Sequence, residues 1–278
     1  MIEIKTFNTF HDFWTYNQSE FLDNYYIYFN FIKILDNTND SGIQVFDAFN
    51  IVDDHDRTII CIWVDSTFFS YSNEWTTEMA IKVNERIDFP KFNNYAFIGQ
   101  RDLTTSLLSR VNVEATTRKN RHVYTCKKVM PITSEIKGIV ENASIEYLDQ
   151  LVNLGIHYHR EEFGLTEKTD QEIESNIISA IQSGILYCLR IDNVIHSILM
   201  VISYDRDKPM IGSLYTKPIS RSKGYAYKLL HTVTEGLHKS GYNICGLLSN
   251  ADNPASNRVF LKTGYDSIYD SVFITKEE

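Results

Sequence analysis

The stretch from Tyr215 to His231, "YTKPISRSKGYAYKLLH", gathers residue types suited to holding an anion. The chain carries 27 Lys and Arg against 36 Asp and Glu, a formal net charge of −9. From Lys208 to Thr234 there is nevertheless no carboxylate, while Lys208, Lys217, Arg221, Lys223 and Lys228 all fall inside that window. A strand-like run, "MIGSLYT", leads through Pro218 into Arg221-Ser222-Lys223-Gly224-Tyr225-Ala226, and Leu229 and Leu230 continue a helix. A junction of this kind turns several free backbone amides, and the positive end of a helix dipole, into one small volume. Small residues at Gly224 and Ala226 let a ligand approach the backbone, and Arg221 and Lys223 add charge. The ligand this predicts is a phosphate or pyrophosphate. Neither GxxxxGK[ST] nor GxGxxG occurs here, and a capped helix with a solvated basic face is the alternative for the stretch alone.

The elements that position this junction fall into two blocks. The first, 1–130, opens with a helix-like segment from His11 to about Leu35 whose aromatics recur at helical spacing. Strand-like "IQVFDAFNIV" and "TIICIWV", helical "NEWTTEMAIKVNERI", strand-like "YAFIG", helical "RDLTTSLLSRV" and strand-like "RHVYTCKKV" complete it. "MPITSE" at 130–135 reads as a linker. In the second block, 131–278, a strand "IKGIVEN" precedes a helix beginning at Ser144 and another from about Asp170 to Ser183, closed by Gly184. Strands "ILYCLRI", "VIHSILMVISY" and "MIGSLYT" follow, then a helix from about Ser220 to Ser240, a strand "NICGLLS", a short helix "PASNRVFLKTG" and a strand near "YDSVFIT". The order is β-α-α-β-β-β-α-β-α-β. Both blocks alternate strands with helices, which leaves open a degenerate duplication, although no residue-level repeat supports it.

Composition narrows the class further. At 278 residues the chain suits one large or two ordinary domains, and 43% hydrophobic with 23% charged residues reads as globular. The acidic balance argues against a nucleic-acid surface spread over the protein. Cys61, Cys126, Cys188 and Cys245 form no CxxC pair, which suits reduced thiols in a cytoplasmic protein and gives no zinc framework. "MIEIKTFNTF" lacks a signal-peptide pattern, and the aromatic run from Asn24 to Ile32 is too short to span a bilayer.

Two motifs in the right order carry a resemblance. "LYTKPISRSKGYA" resembles the Tyr-Thr-Pro-Pro-x-x-Arg-Gly-x-Gly-Tyr-Ala form of the pyrophosphate loop of the GNAT acyltransferase superfamily, with Lys217 and Ser222 at the positions of a proline and a glycine. "SNADNPASNRVFLKTGY" resembles that family's Asn-Pro-x-Ser-Asn-x-x-Tyr-x-Lys-x-Gly-Tyr. The resemblance covers about 136–276, and the first block resembles the companion half of two-domain members only in outline. The fold it implies is α/β (α+β type), a mixed central sheet flanked by helices, preceded by a second α/β domain. It implies acetyl-CoA as acyl donor and an amine as acceptor. Backbone groups of Leu214, Tyr215 and Thr216 would hold the pantetheine arm and polarise the thioester. Arg221, Ser222, Lys223, Gly224, Tyr225 and Ala226 would cradle the pyrophosphate, and Asn253 and Ser256 would hydrogen-bond CoA. The other role for Asn253 and Ser256 is a helix cap, and the two can coexist.

The chemistry is less well furnished. Freeing a lysine-type amine at pH 7 takes about 4.6 kcal/mol, so a base or water relay is needed. The position of the family's proton-donating tyrosine is Phe260, which has no proton to give. Tyr215, His196 and Glu161 remain as catalytic candidates. The resemblance puts the end of the first helix of the second block on the acceptor side, where Glu161 or Glu162 could contact a cationic amine; an exposed helix-end charge cluster is the alternative reading. In "HYHREEFG", His157 and His159 point to different helix faces; His157 with Glu161 makes at most half a metal site, so no metal is expected. Two functions follow: an N-acetyltransferase with direct attack of the amine, or an acyl-CoA-binding sensor or interaction module that has lost efficient catalysis. The acceptor and the oligomeric state are not encoded in any motif.

Overall fold

Consecutive phenylalanines at 68 and 69 show how the first half is built, because neighbouring residues of a strand face opposite sides of the sheet. Phe68 packs on Trp63 with ring centroids 5.5 Å apart, and Phe69 packs on Phe31 at 5.5 Å. Both are buried, so helices must cover both faces. The computed structural model describes residues 1–36, 45–87, 96–111, 117–133, 135–164 and 168–275. Its first half runs β1 (Ile2–Thr6), α1 (Phe10–Asp23), α2 (Phe29–Asp36), β2 (Val45–Asp53), β3 (Thr58–Val64), β4 (Thr67–Tyr71), α3 (Thr77–Arg86), β5 (Ala96–Gln100), α4 (Arg101–Arg110) and β6 (Thr117–Cys126). Its second half repeats that order: β7 (Ile139–Asn142), α5 (Leu148–Phe163), α6 (Asp170–Gln182), β8 (Leu186–Ile191), β9 (Val194–Ser203), β10 (Met210–Thr216), α7 (Tyr225–Lys239), β11 (Cys245–Asn250), α8 (Pro254–Thr263) and β12 (Asp266–Thr275). The mixed α/β class and the β-α-α-β-β-β-α-β-α-β order of the second half agree with the sequence reading.

Four elements depart from it. The helix read from His11 to Leu35 is two helices, separated by turns over 24–28. β1 and β4 were not anticipated, because β1 is largely exposed and β4 follows β3 after only two residues. The helix read from Ser220 starts at Tyr225, behind a 3-10 turn at Pro218–Ser220.

The chain forms two compact units, neither contiguous in sequence. One comprises Met1–Val123, Ser249–Asp252 and Ser267–Glu278; the other comprises Tyr124–Leu248 and Asn253–Asp266. This differs from a division at 130/131, because β12 completes the first unit. There Ser271 to Thr275 pair antiparallel with Gln100 to Ala96 of β5, and Val272 and Ile274 join that unit's buried core. Conversely, Tyr124 and Cys126 at the end of β6 lie in the core of the second unit, with Leu229, Leu230, Val233 and Phe260.

In the second unit β7, β8, β9 and β10 pair antiparallel in that order, and β11 joins β10 in parallel. Leu186 and Cys188 face α5 and α6, whereas Leu189 and Ile191 face α7 and α8. α6 begins with a capping box: Thr169 accepts from the Glu172 amide, and the Glu172 carboxylate accepts from the Thr169 amide. The four cysteines are buried and form no disulfide. Among the described residues no helix is long and apolar enough to cross a membrane.

Because Ile274 lies in the first unit's core, Ile274→Ala should cost that unit about 2–5 kcal/mol. Hydrogen exchange should quicken in β3 and β5 and leave β8 and β9 protected. Loss of protection in β8 and β9 instead would place the last strand with the second unit.

Candidate acyl-donor site

The site is built on a break in β10. Gly212 stands opposite Met200 and Tyr215 opposite Ile198, so Ser213 and Leu214 together face Leu199 alone. The extra residue is accommodated by Ser213 in the left-handed region at φ 52. On the other edge, β10 pairs with β11 only at Met210 and Ile211. From Gly212 onward the two strands separate, and the outward backbone groups of residues 212–216 have no strand partner on that side. The Ser197 hydroxyl holds the bulged end to β9: it donates to the Tyr215 carbonyl at 2.8 Å and lies 2.8 Å from the Thr216 hydroxyl. Sequence reasoning missed Ser197; the only signal for the bulge was a Gly-Ser pair inside a strand.

Beyond Thr216 the chain makes the 3-10 turn, passes Ser222 at φ 63 and Gly224 at φ 81, and enters α7. No side chain caps α7 and its first turn has no acidic residue, so its leading amides are left without an acceptor from the helix. A side chain at Gly224 would meet both the left-handed backbone and the Ile136 side chain, 3.0 Å from the added carbon. Arg221, Ser222 and Lys223 are exposed, and Gly224, Tyr225 and Ala226 are half-buried. The structure thus brings 221–226 together at the helix start beside the end of β10, where Leu214, Tyr215 and Thr216 lie. Lys228 does not belong to this cradle. Its ammonium donates to the carbonyls of Ile136 (2.6 Å) and Gly138 (2.7 Å), pinning the segment that covers Gly224.

The candidate side chains separate into two groups. In the first, the Tyr215 hydroxyl donates to Glu161 Oε1 at 2.7 Å, and Arg221 binds both oxygens of the same carboxylate at 3.0 and 2.7 Å. Arg221 Nε also donates to the Thr216 carbonyl at 3.0 Å, and the guanidinium lies 5.4 Å from the Tyr215 ring centre. Burial pushes the Glu161 carboxyl up, but the Tyr215 and Arg221 hydrogen bonds, with the charges of Arg221 and His157, hold it below its ordinary value. Burial, then hydrogen bonding to Glu161, pushes the Tyr215 phenol up to about 12. Tyr215 therefore keeps its proton at neutral pH.

In the second group, His196 Nδ1 lies 2.7 Å from the buried Ser220 hydroxyl, and its ring stands 5.3 Å from that of Tyr225. Burial first, then the charges of Lys217 and Lys223, hold the imidazole below its ordinary value. Burial and Lys223 act on Lys217 in the same direction. His157 enters only through its charge on Glu161, and among the described residues no three His, Cys, Asp or Glu side chains cluster as metal ligands.

Asn253 caps α8: its side-chain oxygen accepts from the Ser256 amide at 3.1 Å, with Pro254 in the first turn. Phe260 is 6% exposed and packs on Tyr124 and Tyr265. Tyr265 is buried with its hydroxyl 2.9 Å from that of Thr234, so it too is committed to the core.

The first unit uses the same elements without an opening. β4 pairs with β3 in unbroken register from Thr67 to Tyr71, and with β5 in parallel from Thr67 to Ser70. Gly99 makes this closure possible, because a side-chain carbon there would fall 1.8 Å from the Ser70 carbonyl oxygen. The following helix, α3, is capped by the Thr76 hydroxyl and carries Glu78 in its first turn.

Residues 200–274 match the family model described as FR47-like protein. No curated protein matches the chain. Among solved structures, it is similar to an acetyltransferase of the GNAT family from Colwellia psychrerythraea, at 13% identity and TM-score 0.56, over 99% of this chain and 100% of that one. It is also similar to a GCN5-related N-acetyltransferase from Sphaerobacter thermophilus, at 16% identity and TM-score 0.54, over 83% of this chain and 80% of that one. At such identities the likeness is one of fold. The chain thus shares the fold of these two solved structures, and residues 200–274 carry the FR47-like match within it.

Proposed function

We propose that the second unit is an N-acetyltransferase: it binds acetyl-CoA and passes the acetyl group to an amine by direct attack on the thioester. The observation that carries this is the separation of β10 from β11 after Ile211, directly ahead of an uncapped, carboxylate-free helix start. An opened strand edge offers backbone groups to the amide-bearing pantetheine arm, and the helix start offers amides to the pyrophosphate. Leu214, Tyr215 and Thr216 supply the first set, and residues 221–226 the second. Asn253 and Ser256 serve α8 as a cap, and Asn253 keeps an amide nitrogen for CoA. In the attack, the amine nitrogen bonds to the thioester carbon, the C–S bond breaks, and the proton lost by nitrogen ends on solvent or the departing thiolate. Tyr215 brings a protonated phenol to the end of β10, where it donates to Glu161. We assign one acyl donor per chain, because the first unit closes the equivalent edge and caps the equivalent helix with Thr76.

A second reading, an acyl-CoA-binding module with little turnover, is favoured by one observation: Phe260 and Tyr265 are both committed to the apolar core.

CoA at about a hundred times its dissociation constant should stabilise the protein by about 2.7 kcal/mol and raise the melting temperature by several degrees. ATP and NAD should raise it far less, and titration calorimetry should count one CoA per chain. No shift at millimolar CoA contradicts both readings, and two equivalents would mean that the first unit also binds.

Gly224→Glu should abolish CoA binding by putting bulk and negative charge at the helix start. Gly224→Ala serves as the control for backbone strain, at a cost of about 1–2 kcal/mol. A glutamate variant with the parent's dissociation constant would show that the loop is not the anion site.

Phe260→Tyr separates the two readings. If the thiolate of a working enzyme leaves unaided, a hydroxyl reaching the sulfur should raise turnover by about 10²-fold, with CoA affinity unchanged. Turnover is read as CoA release across an amine panel, and as thioester hydrolysis without amine. No rise in either assay favours the binding module.

A further inference from the structure

Arg221 is the arginine of the anion loop, yet its guanidinium is spent on a carboxylate. One terminal nitrogen, Nη2, donates to both Glu161 oxygens, at 3.0 and 2.7 Å, the Nε proton goes to the Thr216 carbonyl, and the Tyr215 ring lies beneath. Arginine grips a phosphate through a fork of two adjacent nitrogens, each giving one N–H. Both edges of the Arg221 guanidinium include Nη2, so neither is free to grip a phosphate in this way while Nη2 serves Glu161. The pair is about half exposed on each side, with side-chain accessibilities of 46% and 48%. An exposed ion pair of this kind is held only lightly and can be exchanged. Glu161 has a second donor in Tyr215, so it does not lose all support when Arg221 leaves.

Resting on the acyl-donor reading, we propose that Arg221 is an exchange residue: a phosphate of the acyl donor draws it from Glu161, and its departure opens the seat between Glu161 and Tyr215 to the cationic group of the acceptor. That seat is already shaped for a cation, since it holds one, against a carboxylate and an aromatic face. The guanidinium occupies the place that an ammonium would take. The two ligands then bind with positive coupling, because each favours the state in which Arg221 has left Glu161. Burial acts to raise the Glu161 carboxyl and Arg221 acts to lower it, so the exchange also makes that carboxylate a better proton acceptor. Glu161 thereby joins the acceptor side as a binding group, with Arg221 controlling access to it.

The exchange predicts a sign that a purely structural ion pair does not. Glu161→Gln removes the competitor, so CoA titrated into the full chain should bind about two- to fivefold more tightly than to the parent. Arg221→Gln should weaken CoA about tenfold, and adding Glu161→Gln to it should then bring no gain. Parent binding with an unchanged or weaker Glu161→Gln variant overturns the exchange while leaving the acyl-donor reading intact. A gain that persists without Arg221 overturns it equally, since that is removal of charge alone. No CoA binding by the parent removes both. For the cation seat the probe is n-butylammonium chloride, compared with sodium chloride at equal ionic strength. It should tighten CoA binding to the parent and not to Glu161→Gln. An equal effect on both, or none, overturns the acceptor half of the proposal.

Discussion

Backbone amides and carbonyls withdrawn from water need partners, and the second unit leaves a set of them deliberately unmatched at one place. A parallel strand pair normally satisfies both edges along its length. Here β10 and β11 part after Ile211, and the bulge at Ser213 and Leu214 follows at once on the side of β9. A few residues later α7 starts without a side-chain cap. Each feature alone would weaken the fold. Placed together, they make a strip of hydrogen-bonding groups that a ligand with alternating amides and an anionic end can complete. Ser197 makes the arrangement stable by holding the bulged end to β9 through the Tyr215 carbonyl.

Charge follows the same logic. An acidic protein that keeps carboxylates out of residues 208–234 lowers repulsion toward an anion, but it also crowds its own cations. The crowding shows in Lys217 and His196, which burial and neighbouring lysines hold below their ordinary values. Two devices relieve it. Lys228 turns away and spends its ammonium on the carbonyls of Ile136 and Gly138, where it fixes chain geometry. Arg221 takes Glu161 from α5, a carboxylate far outside the window in sequence. The local count of acidic residues therefore understates how well the loop is balanced in three dimensions.

This bears on what the sequence could disclose. Helical and strand periodicities, the glycine at 224 and the Asn-Pro cap gave most elements of the second half and the loop-to-helix junction at 221–226, because each rests on local backbone preference. The separation of β10 from β11 left almost no local trace; Gly212 and Ser213 are ordinary residues for a strand edge. The Glu161–Tyr215–Arg221 cluster joins positions from α5, β10 and the loop, and no spacing rule connects them. β12 was read as a strand, yet its membership of the first unit depends on β5, some 170 residues earlier, so continuity along the chain pointed to the wrong partner. The paired break at Asn24 fell inside one continuous aromatic periodicity, which both α1 and α2 satisfy.

The two halves, with one element order, isolate what distinguishes a site from a scaffold. Both place a parallel pair at the fourth and fifth strands, with a helix entering between them. In the first unit Gly99 lets the fifth strand press against Ser70, the register runs through, and Thr76 caps α3. There the strand edge is paired from Thr67 to Ser70, and the helix start has a side-chain acceptor for the Met79 amide. The same topology therefore accommodates either a closed or an opened edge, and the difference lies in a bulge, a cap and one close approach. Closure adds hydrogen bonds and removes strain, so the first unit's version of the junction is the one that folding stability alone would favour. The second unit retains Ser213 and Ser222 at positive φ, residues that lack glycine's freedom there, and such strain persists where a surrounding structure holds it for use.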